Sequence, residues 1–310
     1  MLCLLCLAVL ASLFACGPKK HVYSDDAVVF VDALGREVSV TGEPERVAAL
    51  LGSFADVWQL AGGELCAAAN DAWEDFGLEL GDAVDIGGAH SPSLELLVSS
   101  EPELVLASAS TASNVQMREA LEQMGICVIY FDVDCFEDYL YMLDICTDIT
   151  GRKDLYEQNG LDIKAAIDAI KEEFASLELD DEKKSVLLLR ASAGRVKAKG
   201  SEGTILGEML CDMGCINIAD GNDAILENLS LESIIEKNPH HVFVVTMGND
   251  TEAARAALTQ MMEENGAWGE LEAISEGRLH VMDRRLFNIK PNARWAEAYE
   301  KLYEALVSQK

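Results

Sequence analysis

Two groups of basic side chains are the residues of this chain best suited to binding chemistry. The chain has only 24 Lys and Arg against 54 Asp and Glu, so nine cations in two short segments predict a locally positive wall. Guanidinium groups offer paired donors in one plane, which suits carboxylates, phosphates and anionic metal chelates. The nine are Arg190, Arg195, Lys197 and Lys199, and then Arg278, Arg284, Arg285, Lys290 and Arg294.

These cations also have an ordinary alternative, since some can pair with nearby acids such as Glu202 and Asp283. Arg190, Arg195 and Arg285 are our candidate ligand-binding cations, with that alternative left open. Arg278 and Arg294 are predicted to be structural.

Aromatic and imidazole side chains supply further candidates. Trp73 lies in a predicted loop, where a large ring either stacks on a flat organic ligand or covers the edge of a lobe. Phe54 and Phe287 have the same two alternatives. His90, the one histidine in a predicted cleft loop, either coordinates a metal or haem iron or is solvated. Ser53, Ser91 and Ser110 lie in loops that follow predicted strands, where parallel α/β sheets bind ligands.

The sequence also contains a pattern that occurs twice, 137 residues apart. Ser93, Glu95 and Pro102 precede one apolar segment, and Ser230, Glu232 and Pro239 precede another at the same offsets. Each copy predicts a serine N-cap, an acid in the first helical turn, and a proline between the helix and a buried strand. A helix followed by a continuous apolar strand is typical of parallel α/β sheet, so two copies predict two lobes with a cleft between them.

A long helical segment is predicted between these two lobes. Phe136 to Leu177 has helical periodicity and no strand pattern, with Gly151 and Gly160 as weak breaks. It predicts a stiff connector, either one long helix or two abutting ones.

Arg195–Lys199 in the second lobe is expected to be irregular. Elsewhere, Val28–Asp32 and Arg36–Val40 predict a hairpin, and Ser53 is predicted to cap a helix that reaches Leu60.

Composition and the N-terminus bound the class of protein. Half of the residues are apolar, which excludes a disordered or fibrous chain, and the net charge of −30 argues against nucleic acid or an anionic membrane surface as a partner.

Met1 to Cys16 is uncharged and too short to span a bilayer comfortably, which predicts an export signal. Leu13-Phe14-Ala15-Cys16 resembles a bacterial lipobox, so Cys16 is the candidate lipidation site. Phe14 is bulky for that motif and no cation precedes it, so a plain secretory signal and an upstream start stay open. Six cysteines follow, and we predict no particular pairing among them.

Several short motifs follow one another in a particular order. They are Asp32-Ala33-Leu34-Gly35-Arg36, Pro44-Glu45-Arg46-Val47, the two helices with Glu95 and Glu232, Pro102-Glu103-Leu104-Val105-Leu106, and Pro291-Asn292-Ala293-Arg294-Trp295. With the lipobox-like start and the central helical segment, they resemble the substrate-binding lipoproteins of ABC importers for ferric siderophores, haem and cobalamin. These are the helical-backbone, class III periplasmic binding proteins. The resemblance covers nearly everything from Val29 to Leu306.

This resemblance implies two Rossmann-like α/β lobes joined by a long rigid α-helix, with the ligand held in the cleft and little hinge motion. The implied organisation is a signal peptide at 1–15, a lipid-anchored tether at 16–27, an N-terminal lobe at 28–134, a connecting helix at 135–178 and a C-terminal lobe at 179–310. It further implies that Glu95 and Glu232, one per lobe, dock with arginines of a permease. Acids in a first helical turn also stabilise the helix without any partner.

The function implied is that of a monomeric, extracytoplasmic, lipid-anchored protein. It would bind an iron chelate or a corrinoid and deliver it to the permease, with no catalytic residue and no cofactor of its own. An enzyme on the same architecture is the alternative of another class, but no nucleophile elbow, His-Glu-x-x-His pair or P-loop supports it. A free metal ion would need more histidines than His90 alone, whereas an oxyanion such as tungstate stays open.

Overall fold

The structure is a computed structural model that describes residues 22–24, 27–248 and 250–308. The predicted signal peptide and Cys16 lie outside the described residues. None of the helices in these ranges is long and apolar enough to cross a membrane.

A small antiparallel sheet precedes the first lobe. It contains β1 (Val22–Ser24), β2 (Ala27–Val31) and β3 (Glu37–Thr41). The β2–β3 hairpin confirms the sequence prediction. Val22–Ser24 of β1, which lies within the tether predicted for residues 16–27, pairs with β2.

The N-terminal lobe contains a five-stranded, fully parallel sheet in the order β6-β5-β4-β7-β8. Its central strands are short apolar runs buried on both faces, which is the pattern of a sheet covered by helices on each side. The strands are β4 (Val47–Ala49), β5 (Ala67–Ala68), β6 (Val84–Asp85), β7 (Leu104–Ser108) and β8 (Cys127–Phe131). The helices are α1 (Gly52–Leu60), α2 (Asp71–Glu74), α3 (Leu94–Ser99) and α4 (Ala112–Gln123).

The segment predicted as a connector consists of two abutting helical stretches. The first ends before Gly151, which adopts a φ of 68°, a conformation that favours glycine. The second contains a π-helical turn at Gly160, where an added Cβ would lie 2.8 Å from Leu140 Cδ1. The helices are α5 (Phe136–Ile149), α6 (Lys153–Tyr156), the π-helix Glu157–Leu161 and α7 (Asp162–Ser176). Helix α5 packs against α1, and α7 packs against the C-terminal helix.

The C-terminal lobe is built on a second five-stranded sheet in the order β10-β9-β12-β13, with β11 also pairing β9. The prediction of an irregular Arg195–Lys199 was wrong, because this segment pairs antiparallel with β9 as an edge strand. The strands are β9 (Ser185–Ser192), β10 (Arg195–Lys199), β11 (Ile216–Asn217), β12 (His241–Thr246) and β13 (Leu279–Met282). The α-helices are α8 (Ile205–Asp212), α9 (Asp223–Asn228), α10 (Leu231–Lys237), α11 (Thr251–Glu264), α12 (Glu272–Ser275), α13 (Arg284–Phe287) and α14 (Trp295–Val307), and the 3-10 turns are Gly266–Glu270 and Asn292–Arg294.

The two repeat helices have the predicted caps. The hydroxyl of Ser93 accepts a hydrogen bond from the backbone N–H of Leu96, and Ser230 accepts one from Ser233. Helix α3 leads into β7 and helix α10 into β12, so both copies of the pattern form the same helix–strand unit.

One apolar cluster connects the two lobes. It contains one face of each sheet, with Val47 and Leu104 from the first and Val186 and Phe243 from the second. Side chains of α7 and α14, among them Phe174 and Trp295, belong to the same cluster, as does Trp58. The other face of each sheet packs on a separate cluster within its own lobe.

Candidate functional site

A cavity of about 500 Å³ lies between the lobes, where the strands of both sheets end. From the N-terminal lobe it is lined by residues that follow β4, β5, β6 and β7, and from the C-terminal lobe by Arg190 and residues that follow β12 and β13. This is the position at which parallel α/β sheets bind ligands. We call this cavity the cleft.

Four of the predicted ligand-binding residues line the cleft, namely Ser53, His90, Ser110 and Arg190. Ser91 is exposed beside His90, but it does not line the cleft. Ser53 does not cap α1, since the helix already begins at Gly52.

The other predicted residues lie elsewhere. Phe54 is inside α1 and buried, with its ring edge-on to Phe131 at 6.1 Å, and Phe287 is buried in the core as well. Trp73 is half-buried against the core. Arg195 begins the edge strand β10 and lines a separate hollow beside α11. None of these four residues lines the cleft.

Two close contacts set the shape of the N-lobe side of the cleft. Gly52 allows α2 to approach the start of α1, because a Cβ at this position would lie 2.4 Å from the backbone nitrogen of Ala72. Asn114, which is fully buried, accepts a hydrogen bond from the Ser108 N–H at 3.0 Å and donates one to the Ala89 carbonyl at 3.2 Å. Asn114 therefore connects two loops that line the cleft, and no sequence motif had indicated this role.

The N-lobe wall of the cleft is acidic. It contains Asn70, Asp71, Glu74, Asp75 and Phe76. Burial raises the pKa of Asp71, and its Oδ1 atom is buried without a hydrogen-bond partner in the described part of the chain.

The C-lobe wall is cationic, with Arg190, Arg284 and Lys290. Burial lowers the pKa of both Arg190 and Lys290. The Nε atom of Arg190 has no hydrogen-bond partner, and neither side chain forms an ion pair with any carboxylate that the structure describes. Arg284 and Lys290 belonged to the predicted cationic group, but nothing in the sequence separated them from its structural members.

Arg284 differs from the other two cations because it has a partner across the cleft. Its Nη1 and Nη2 atoms donate to the two carboxylate oxygens of Asp75 at 2.6 and 3.0 Å, and this interaction raises the pKa of Arg284. The neighbouring Arg285 does not line the cleft. Its guanidinium lies 4.0 Å from the centre of the Phe76 ring and 3.7 Å from an oxygen of Asp56.

The remaining predicted residues have the following positions. Arg278 pairs with Glu276 and Arg294 with Glu297, in agreement with structural roles. Glu95 and Glu232 are exposed in the first turns of α3 and α10, one in each lobe. Within the described ranges no three or more His, Cys, Asp or Glu side chains form a group able to hold a metal ion, and the six cysteines there are free.

Comparison with known proteins identifies the class of molecule to which this cleft belongs. The family model described as periplasmic binding protein matches residues 47–286, which include both sheets and most of the cleft lining. The chain belongs to this family. Its members are solute-binding proteins, and the two-lobe α/β fold with parallel sheets is the fold of class III members.

Individual relatives agree with this assignment. The chain is 25% identical to the Fe(3+)-citrate-binding protein YfmC of Bacillus subtilis over 271 residues, which cover 84% of this chain and 80% of that protein. Its fold is similar to that of Staphylococcus aureus SirA complexed with staphyloferrin B, with a TM-score of 0.68, 19% identity and coverage of 90% and 98% of the two chains. It is also similar to S. aureus IsdE complexed with haem, with a TM-score of 0.70, 15% identity and coverage of 85% and 99%.

Proposed function

We propose that this protein is the substrate-binding component of an ABC importer and that it binds a carboxylate-rich ferric chelate in the cleft. The observation that carries the proposal is the pair of cations Arg190 and Lys290, which line the cleft without an ion-pairing carboxylate among the described residues. Burying a charge without a partner costs free energy, so an anionic guest would supply the missing interaction. The name of the relative YfmC supports ferric citrate as the first ligand to test.

The lining of the cleft favours a polar chelate over a large flat macrocycle. Among the described lining residues, Phe76 is the one phenyl, phenol or indole ring, and Arg285 already covers one of its faces. A macrocycle buries mostly apolar surface and is stabilised by aromatic contacts. A citrate-type chelate instead needs several cationic and hydroxyl donors, which Arg190, Lys290 and Ser110 offer.

The test is a titration of the purified protein with ferric citrate by isothermal calorimetry. We expect a dissociation constant in the micromolar range or below, and Arg190→Gln should weaken it by about tenfold or more, as expected for a charge-assisted hydrogen bond. Arg195→Gln is the matched control, because it removes an arginine from the same lobe outside the cleft. Equal losses in the two variants, or no binding by the unaltered protein, would contradict the proposal.

Haem is the second candidate, and a specific observation favours it. His90 lines the cleft from the N-terminal lobe and Met247 lines it from the C-terminal lobe. Histidine and methionine are an established axial pair for haem iron. Titration with hemin, followed by absorbance, decides between the two candidates. A Soret shift that His90→Ala and Met247→Ala each alter, together with no response to ferric citrate, would favour haem.

The delivery step and the location complete the proposal. Exposed Glu95 and Glu232, one on each lobe, support docking to the permease subunits of the importer. The lipobox-like Leu13-Phe14-Ala15-Cys16 supports anchoring of a monomer to the outer face of the cell membrane through lipid on Cys16. Cys16→Ser should release the protein from the membrane fraction into the medium or the periplasm.

A further inference from the structure

Arg284 and Asp75 form a cross-lobe contact within the cleft itself. Arg284 belongs to α13 of the C-terminal lobe, whereas Asp75 directly follows α2 of the N-terminal lobe. The guanidinium donates two hydrogen bonds to the carboxylate, at 2.6 and 3.0 Å. Both side chains are about one-fifth exposed, at 22% and 23%, so solvent and solute in the cleft can reach them.

Neighbouring contacts hold this pair in place. The carboxylate of Asp283 accepts a hydrogen bond from the Arg285 N–H at 2.8 Å and caps α13. The Arg285 guanidinium stacks on Phe76 and donates to the Lys290 carbonyl at 2.9 Å. Two consecutive arginines therefore contact two consecutive residues of the opposite lobe, and the Arg284 fork is fixed relative to Asp75.

Asp75 contacts Arg284 in the same way as the carboxylate of a bound ligand would. A carboxylate that accepts two parallel N–H bonds from one guanidinium is the arrangement by which arginine binds citrate-type anions. The other two cations of the C-lobe wall, Arg190 and Lys290, have no such partner in the described chain. Of the three cations that line the cleft, Arg284 is therefore the one that is paired with a described carboxylate of the protein itself.

We propose that Asp75 is an internal competitor for the anionic ligand, because it occupies Arg284 in the empty cleft and must be displaced before that arginine can bind. This inference rests on the proposed function, since it requires an anionic chelate in the cleft. Binding would then be an exchange, in which a ligand carboxylate takes both guanidinium hydrogen bonds from Asp75. Asp75 would lower the affinity for any anion that reaches Arg284.

The test compares Asp75→Asn with Glu74→Gln in the full chain, using ferric citrate and calorimetry. Both variants remove one negative charge from the N-lobe wall. Glu74, however, has no ion pair among the described residues, and its carboxylate accepts a hydrogen bond from the Asn70 amide at 3.5 Å. Asp75→Asn should tighten binding by about tenfold, because an ion pair no longer has to be broken. Glu74→Gln measures the general effect of charge and should tighten binding by no more than about threefold.

A second pair of variants links the gain to Arg284. In an Arg284→Ala background, Asp75→Asn should improve binding only as much as Glu74→Gln does, since no guanidinium remains to be released. The inference is overturned if Asp75→Asn and Glu74→Gln have equal effects, or if the full gain persists without Arg284. Both of those outcomes leave the proposed function intact. If none of the proteins binds ferric citrate, the proposed function fails and this inference fails with it.

Discussion

The side chain of Lys290 is half-buried at the cleft, and no carboxylate in the described part of the chain lies within ion-pairing distance of it. Burial lowers its pKa, and the negative charges of Asp134 and Asp132 oppose that effect only from a distance. The ammonium lies 5.9 Å from the centre of the Phe54 ring, which is a weak contact for a charge. In the ligand-free protein this lysine therefore costs stability, and a bound anion would offset that cost.

Replacing Lys290 should separate stability from binding. Lys290→Met keeps most of the length of the side chain and removes the half-buried, unpaired charge, so the free energy of unfolding should rise by roughly 1 kcal/mol. The same change should weaken ferric citrate binding by at least about tenfold. Urea unfolding and calorimetry measure the two effects, with the exposed Lys301→Met as control. A loss of stability together with unchanged affinity would assign Lys290 a structural role.

A buried basic group lies far from the cleft, at the start of β12. His241 is 2% exposed, and its Nδ1 atom is 3.1 Å from Nε2 of His280. The pKa of His241 is lowered to about 3. Burial is the largest cause, the charge of His280 is the next and that of His240 follows. The unfolded chain takes up a proton at this residue below about pH 6.5, whereas the folded chain does so only near pH 3. The stabilising effect is complete above pH 6.5 and is lost as the pH falls toward 3.

In the His241→Gln variant, the free energy of unfolding should therefore decrease less as the pH falls below neutrality. Urea midpoints measured between pH 7.5 and pH 4.5 should fall less steeply for the variant than for the unaltered protein, whatever its absolute stability. His90→Gln serves as control, because this exposed histidine is outside the cluster. Parallel pH profiles for His241→Gln and the unaltered protein would show that the acid loss originates elsewhere.

Among the elements, α3 and α10 present equivalent acids to the outside of the molecule. Each helix is short, with six and seven residues, and begins at a serine cap that fixes the first turn. Glu95 and Glu232 both occupy that first turn and are exposed. Two exposed acids at matching positions in two lobes suit a partner that contacts both lobes at once.

Removing both acids should abolish transport but leave the ligand affinity unchanged. For Glu95→Ala with Glu232→Ala, we expect loss of radiolabelled ferric citrate uptake in cells that carry the importer, because docking is lost while the cleft is untouched. The control is Glu119→Ala with Glu263→Ala, which removes one exposed acid from another helix of each lobe. Normal uptake by the first pair, or a matching loss in the control pair, would count against docking by Glu95 and Glu232.

The repeat helices were predictable from sequence because their determinants are local. A serine cap, a first-turn acid and a following proline act within about ten residues of one another, and the structure shows the predicted caps. The edge strand β10 was missed because its pairing with β9 depends on the hairpin register, which its own residues do not encode.

The cleft was predictable only in part, for the same reason. Ser53, His90, Ser110 and Arg190 line the cleft as expected, because each lies near the carboxyl end of a strand that the sequence pattern indicates. Phe54 does not line the cleft, because its ring packs in the core against Phe131, a residue 77 positions away in the sequence. Lys290 differs from the other cations because it has no ion-pairing carboxylate among the described residues, and Arg284 differs because its partner Asp75 lies in the other lobe. A sequence shows neither property.

At the scale of the whole molecule, the two lobes are joined by more than the connector. Asn292, which is fully buried, donates hydrogen bonds from Nδ2 to the Ser53 carbonyl and to an Asp56 oxygen, both at 2.8 Å. These contacts cross from the C-terminal segment to α1. Burial raises the pKa of Asp56, so loss of the Asn292 amide would leave a desolvated carboxyl group without its best donor.

The shared apolar cluster leads to a prediction about cooperativity. One face of each sheet, α7 and α14 all pack in this cluster, so neither lobe can unfold without exposing apolar surface of the other. Protein labelled with 5-fluorotryptophan reports on both lobes without a mutation, because Trp58 lies in the N-terminal lobe and Trp268 in the separate cluster of the C-terminal lobe. The fluorine signals of these two residues, assigned by single Trp→Phe variants, should disappear at the same urea concentration. An earlier midpoint for Trp268 would mean that the C-lobe cluster unfolds independently and that the shared cluster does not couple the lobes.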